Sequence, residues 1–470
     1  MSCNRSPDCY NEPLLPGSIR LLRLLPNEDK GTPIRCELFH YALQQSNKRT
    51  HLYDALSYVW GGSDKPRSIF IRQHIPTSGC DFTSEFDLPV TENLHAALLR
   101  LRDHYIERII WIDAVCINQK DEREKEIQIL LMAKIYAQAS RVIVWLGEAA
   151  DGSDQVLQAI RMAGGQELGN ALNDEMTQQA VIALLQRPWF RRIWILQEVA
   201  AARHILIMCG PTEIDGHAFC LGIDSFKGFD KVGVDLRSFI HSVTYLISGA
   251  IFRPGFSISR SGRSSLEICP LGELMDMYYD HEATQRHDKV YALLGMSSDD
   301  LSKTNLLPDY KVPWEELLQR LVKYLLCEEI SVETGGCGGE IVAIKSKGYI
   351  LGQVFLEESY TSQNSRNGVD VNFKNSEGSA RWTLQISAKS IQNGDIVCLL
   401  QGASKPTIIR PCQDYFRIIK IAARTPETIP IGGGYIEWPK LFLPGIPLTA
   451  RDLLLIWDWE NSLEKFPYLE

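Results

Sequence analysis

Residues 108–147 read RIIWIDAVCINQKDEREKEIQILLMAKIYAQASRVIVWLG, and this stretch decides the fold class. Ile109, Ile110, Trp111 and Ile112 make an almost unbroken apolar run. Such a run suits a strand buried on both faces. Asp121 is placed to cap a helix, with Glu124 three residues on as its capping-box partner. Ile127, Leu130, Leu131 and Ile135 then recur at helical spacing. Arg141 to Leu146 reads as a second buried strand, stopped by Gly147. A buried strand, a helix and another buried strand predict a parallel pair with its crossover helix.

The same rhythm extends in both directions. Leu52 to Val59 is an apolar strand that ends in Trp60-Gly61-Gly62, and Thr91 to Tyr105 carries Leu94, Leu98, Leu101 and Tyr105 on one helical stripe. Helices are expected around 153–165 and 174–186, and a further one from Pro188 to about Ala202. His204 to Cys209 is another strand, closed by Gly210-Pro211. Residues 51–212 therefore read as one α/β domain, a parallel sheet with helices on both faces. Residues 1–50 form an N-terminal extension with strands at Ile19–Leu25 and Ile34–Leu43. Residues 213–332 read as mainly helical, with the polar break Arg253–Ser265 as a mobile loop. After the glycine cluster 335–339, residues 333–470 turn to short alternating runs, a β-rich module. Its strands are expected at Ile341–Ile344, Tyr349–Phe355, Trp382–Ile386, Asp395–Leu400, Thr407–Arg410 and Tyr415–Ile421.

Composition narrows the function. In 470 residues, 45% are hydrophobic and 23% charged, the balance of a globular chain with a large core. The net charge of −9 argues against a duplex-binding surface, so no nucleic-acid partner is expected. Met1 to Tyr10 has no apolar run of the kind a secretory signal needs. Apolar windows such as Val243–Phe252 fall short of the ~20 residues that span a bilayer. A cytoplasmic location, with the 12 Cys kept as thiols, is the expectation. No C-x-x-C pair occurs, and His281-Glu282 with His287 lacks the spacing of H-E-x-x-H, so no metal is expected. There is no G-x-G-x-x-G and no P-loop, and the glycines at 335–339 precede a strand rather than a helix. Dinucleotide oxidoreduction and nucleoside-triphosphate hydrolysis are therefore disfavoured, and no resident cofactor is expected.

In an open parallel sheet, ligands bind beyond the carboxyl ends of the strands. The first strand delivers Ser57, Tyr58 and Trp60. The second delivers Asp113, Cys116, Asn118 and Gln119, and the third Glu148. Each has a plainer role open to it: Asp113 as a turn cap, Cys116 as a small buried hydrophobe, Glu148 as a solvated loop residue, Trp60 as core. On the expected helix after Pro188, Glu198 lies one turn from Trp194 and one turn from Ala202, on an apolar face. A carboxylate there is desolvated and becomes a functional candidate, unless it pairs with Arg191, Arg192 or Arg203.

These stretches resemble the fungal heterokaryon-incompatibility (HET) domain family. Tyr53 to Gly61 resembles its first motif. Trp111–Gln119 through Asp121, Glu126, Gln128, Met132, Ile135-Tyr136, Ala139 and Val144–Gly147 resembles its second, and Arg187–Arg192 through Gln197-Glu198-Val199 its third. Arg286 with Asp288–Gly295 and Pro308–Tyr310, and Gly394 to Arg410, resemble stretches that follow such domains. The resemblance implies non-self recognition and programmed cell death signalled through domain assembly, with protein partners or self-association. The HET domain is also similar to TIR domains, a flavodoxin-like class that signals by assembly or cleaves NAD. That likeness implies a second role, an NAD glycohydrolase with NAD as substrate. Glu198 is then the key carboxylate, and Ser57, Tyr58, Trp60, Asp113, Asn118 and Trp194 are the substrate-binding candidates.

Overall fold

The computed structural model describes residues 9–10, 12–43, 52–62, 64–77, 80–164, 175–226, 234–250, 257–258, 264–301, 304–335, 341–356, 369–375, 378–384, 389–431, 434–438 and 449–458. The chain divides into two units, Met1–Leu266 and Glu267–Glu470. Most of the polar break at 253–265 and the glycines at 336–339 lie outside the described residues.

The first unit is built on nine strands. They are β1 (Ser18–Leu24), β2 (Arg35–Ala42), β3 (Asp54–Tyr58), β4 (Arg67–Thr77), β5 (Cys80–Val90), β6 (Arg108–Trp111), β7 (Val142–Trp145), β8 (Ile205–Cys209) and β9 (Thr212–Asp215). Their order across the sheet is β5-β4-β2-β1-β6-β3-β7-β8-β9. The middle of the sheet is parallel: β3 pairs in parallel with β6 and β7, and β7 with β8. All four residues of β7 are buried, as a strand covered on both faces requires. Counting only these four parallel strands, the order is second-first-third-fourth, the flavodoxin-like arrangement. From β3 the chain crosses one way to β6 and then back past β3 to β7. The gap between the tips of β3 and β7 is therefore the topological switch point, where such sheets hold their ligands.

The parallel sheet with helices on both faces is as the sequence predicts, and antiparallel strands extend it on either side. β1 runs antiparallel to both β2 and β6, so the N-terminal strands are continuous with the main sheet. The β4–β5 hairpin, absent from the sequence expectations, adds an antiparallel pair at one edge, and β9 adds one at the other.

The helices are α1 (Glu92–Leu101), the single turn α2 (Asp113–Cys116), α3 (Glu122–Gln138), α4 (Ser153–Gly164), α5 (Glu175–Leu185), α6 (Trp194–Ala201), α7 (Gly216–Asp224) and α8 (Val234–Ala250). α1 stops at Leu101 rather than Tyr105, because Arg102 turns extended and spends its guanidinium on the carbonyls of Asp29, Lys30, Thr32 and Pro33. α3 begins as expected, with Asp121 accepting the Glu124 N–H. The reciprocal half of the capping box is missing, since the Glu124 carboxylate turns to Arg20 and to the Asn118 N–H. The expected helix from Pro188 is broken in two. A 3-10 turn covers Pro188–Arg191, Arg192 is extended, and α6 starts at Trp194. No glycine or proline forces the break. Two long-range hydrogen bonds hold it, from Trp189 and Arg192 to β3.

The second unit has helices α9 (Leu271–Tyr278), α10 (Asp288–Leu294) and α11 (Trp314–Leu325), after the two-residue strands β10 (Ser257–Ile258) and β11 (Ser264–Ser265) of the first unit. Tyr291 on α10 donates to the Asp309 carbonyl at 3.0 Å, and the Tyr310 hydroxyl donates to Asp288 at 2.6 Å. The strands are β12 (Ser331–Gly335), β13 (Ile341–Phe355), β14 (Val369–Asn375), β15 (Gly378–Leu384), β16 (Ile396–Leu400), β17 (Thr407–Pro411), β18 (Phe416–Lys420), β19 (Thr428–Ile431), β20 (Gly434–Glu437) and β21 (Ala450–Asp458). Two runs read separately in the sequence, 341–344 and 349–355, are the single strand β13. Its first part pairs with β21 and its second part with β16. Because β16, β17, β18 and β21 pair in turn, these strands and β13 close into a five-strand ring. Gly348 lies at the handover, where a side chain would meet Leu453 at 2.7 Å, and a register shift between Ile350 and Gly352 bends the strand.

Candidate functional site

The tips of the parallel strands are tied together by long-range polar contacts. β3 ends at Tyr58, and the chain turns at Gly61 with φ of 81°, a conformation open to glycine. β7 ends at Trp145 and turns at Gly147 with φ of 104°. Asn93, near the start of α1, spans the switch point. Its Nδ2 donates to the Val59 carbonyl at 2.7 Å, and its Oδ1 accepts from Trp145 Nε1 at 2.9 Å. Arg187 Nη1 donates to the Leu146 carbonyl at 2.7 Å and to the Glu148 carbonyl at 3.0 Å. Arg192 Nη1 donates to the Tyr58 carbonyl. Carbonyls that the strand ends leave without a ladder partner are thus satisfied by side chains, as buried backbone requires.

Within this frame sits a cluster of acids and hydroxyls. Trp60 Nε1 donates to Asp113 Oδ2 at 2.8 Å, and the Ala114 N–H donates to Oδ1 at 2.7 Å. Trp60 and Asp113 are both half-buried. Burial raises the Asp113 carboxyl above its ordinary value, against the pull of the Arg192 charge, the Trp60 and Ala114 N–H groups and the Tyr58 hydroxyl. Tyr58 is buried, and burial, with the Asp113 charge next, pushes its phenol well above the usual range.

Glu198 on α6 is 2% exposed, inside a helix whose residues from Ile195 to Ala201 are all buried. Desolvation raises its carboxyl to about 7. Arg192 draws it down, as do the neighbouring Ser57 and Tyr136 hydroxyls, the latter donating to the Leu56 carbonyl at 3.2 Å, while the Asp113 charge pushes it up. Ser57 has a defined donor role here. Its oxygen accepts from Trp189 Nε1 at 2.8 Å, which leaves the hydroxyl proton to point at Glu198. Glu198 Oε2 makes no hydrogen bond, nor does the adjoining Gln197 Oε1. Among the described residues no side chain forms an ion pair with Glu198, and Arg192 acts on it as a nearby charge.

The structure thus brings Ser57, Tyr58, Asp113 and Glu198 into one electrostatically coupled group, with Trp60 attached through Asp113. Trp194 is half-buried, one helical turn from Glu198. Asn118 is engaged elsewhere: its Oδ1 accepts the Lys120 N–H at 3.1 Å and shapes the turn before α3. The Cys116 thiol is buried and pushed up to about 12 by desolvation, so it stays a protonated packing group rather than a nucleophile. Among the described residues no group of three His, Cys, Asp or Glu could hold a metal ion. Tyr136 and Arg187 enter the sequence reading only through the resemblance, as motif positions without a site role, and Asn93 does not enter it. One signal pointed to the Trp189 contact: a buried indole N–H needs an acceptor, and Ser57 is the sole hydroxyl between apolar neighbours within β3 apart from Tyr58.

Residues 53–198 match the protein-family model described as "Heterokaryon incompatibility protein (HET)", so the match opens at the foot of β3 and closes on Glu198. The chain is similar to "Heterokaryon incompatibility protein 6, OR allele" of Neurospora crassa, with 29% identity over 343 residues, 62% of this chain and 49% of the relative. The chain therefore spans about half the length of that curated relative. No solved structure matches. Among the described residues no helix is long and apolar enough to cross a membrane.

Proposed function

We propose that this chain acts in heterokaryon incompatibility, as a fungal cytoplasmic protein whose HET domain signals non-self recognition and programmed cell death by assembling with protein partners or with further copies of itself. The match over residues 53–198 carries this reading, and the printed name of the Neurospora crassa relative agrees with it. The test is induced expression of the full chain in a filamentous fungus, scored for growth arrest and membrane permeability. Arrest is expected. Healthy growth at high protein level would count against the reading.

One observation favours a second reading of the same domain, the cleavage of NAD. Glu198 is a buried carboxylate with an oxygen that makes no hydrogen bond, close to Ser57, Tyr58 and Asp113. Cleaving the nicotinamide–ribose bond develops positive charge on the ribose, and a nearby carboxylate stabilises it. The bonding pair leaves with nicotinamide, and water then adds its oxygen to the ribose carbon and gives up a proton. Glu198 supplies the charge, Asp113 the contact to ribose hydroxyls, and Trp60 or Trp194 a ring face. With its carboxyl at about 7, Glu198 is ionised only in part at neutral pH, so turnover rises with pH through that value. Nicotinamide release from NAD, lost in Glu198→Gln, is the expected result. No release at high protein concentration, with killing intact, leaves assembly alone.

A further inference from the structure

Asp113 is the first residue of α2, and α2 is a single turn. One turn cannot hold itself, because nucleation costs more than one hydrogen bond returns, and the last carbonyls of any helix need outside partners. Two of those partners come from the extreme N-terminal side of the chain. The Tyr10 hydroxyl donates to the Val115 carbonyl at 2.9 Å. Arg20 Nη1 donates to the Cys116 carbonyl at 3.4 Å.

Arg20 is 2% exposed and links several elements. It grips Glu124 with both Nη atoms, at 2.6 and 3.0 Å, and Nη2 also donates to the Glu12 carbonyl at 3.1 Å. Its guanidinium lies 5.1 Å from the centre of the Tyr10 ring. Glu124 Oε1 in turn accepts the Asn118 N–H at 2.7 Å, so the far end of the α2 turn is held by the same arginine. Gln73 Nε2 fixes the Cys9 carbonyl at 2.7 Å. The segment is therefore fastened at Cys9, Tyr10 and Glu12. Cys9 is buried, while Pro13, Leu15, Pro16 and Gly17, between the segment and β1, are exposed.

We propose that Cys9, Tyr10 and Glu12, acting with Arg20, form a strap that positions Asp113 by holding α2, so that lifting the strap loosens Asp113 from Trp60. This places an input to the site outside residues 53–198, the part that matches the HET family. The inference holds whether the site works by assembly or by hydrolysis.

The test uses the full chain and Tyr10→Phe, which keeps the ring beneath Arg20 and deletes one hydroxyl. Two readouts are followed. The first is hydrogen exchange of the amides in 113–119. The second is the pH titration of the Trp60 indole N–H band in ultraviolet resonance Raman, isolated as wild type minus Trp60→Phe. Tyr10→Phe is expected to speed exchange about fivefold or more and to move the Trp60 midpoint down, towards the ordinary Asp value of 3.8, as Asp113 gains solvent. Tyr291→Phe, which deletes a hydroxyl bond to Asp309 in the other unit, is the control and is expected to leave both readouts at wild-type values. Unchanged exchange, an unchanged midpoint, or an equal shift in Tyr291→Phe each overturns the proposal.

Discussion

Glu198→Gln is expected to stabilise the protein, and only above a certain pH. The Glu198 carboxyl rises from an ordinary 4.5 to about 7 in the folded chain. Between those values the folded state keeps a proton that the unfolded state has released, so stability falls as pH rises through the window. Below about pH 4.5 both states are protonated and the group contributes nothing. Above about 7 both are ionised and the full penalty is present. A tenfold change in proton affinity is worth ~1.4 kcal/mol, so the rise from 4.5 to about 7 amounts to ~3 kcal/mol. Glutamine has nearly the same shape and no charge, so it removes that penalty. The assay is thermal unfolding of wild type and Glu198→Gln side by side from pH 4.5 to 8. For a unit of this size each kcal/mol moves the midpoint by ~2–4 °C, so a gap of ~6–12 °C opens with rising pH. Asp276, a raised acid of the second unit, titrates alike in both proteins and cancels in the difference. A gap that stays constant from pH 5 to 8 would refute the claim that Glu198 is a desolvated carboxylate.

Other substitutions probe the frame. Trp189→Phe removes the N–H that Ser57 accepts and leaves a gap in a fully buried site, so urea denaturation is expected to show a loss of ~2–4 kcal/mol. Gly147→Ala puts a side chain at φ of 104° and 3.3 Å from Arg187 Nη1, and a loss of ~1–3 kcal/mol is expected in thermal melts. Arg410→Met strands Asp395, a 1% exposed carboxylate that the guanidinium grips at 2.8 and 3.0 Å. A loss of ~3–5 kcal/mol is expected, read as faster proteolysis of the second unit.

The parallel middle of the sheet is legible in sequence because β3, β6, β7 and β8 are short apolar runs buried on both faces, separated by periodic helices. The β4–β5 hairpin is not legible. Arg67–Val90 mixes charges with Pro76 and Pro89, and it carries charged contacts, with Glu85 meeting Arg35 and Arg72 at 3.1 and 2.9 Å, rather than an apolar run. The break at Arg192 is hidden for a related reason: Trp189 and Arg192 sit in a run with helical periodicity, and the bonds that overrule it go to β3, far away in sequence. Strand-tip logic names Ser57, Tyr58, Trp60 and Asp113 together with Cys116, Asn118, Gln119 and Glu148. Asn93 and Arg187 escape it, because each matters only through backbone carbonyls on another element.

The ring in the second unit has a consequence for synthesis. Its final stave, β21 at 450–458, is made last, yet it must slot between β13 and β18. While the ribosome is still extending the chain, the earlier staves stand as an open sheet with two bare margins, each able to recruit a stranger's backbone. The unit cannot seal until the last stave arrives, which leaves a window in which chaperones or proteases decide its fate.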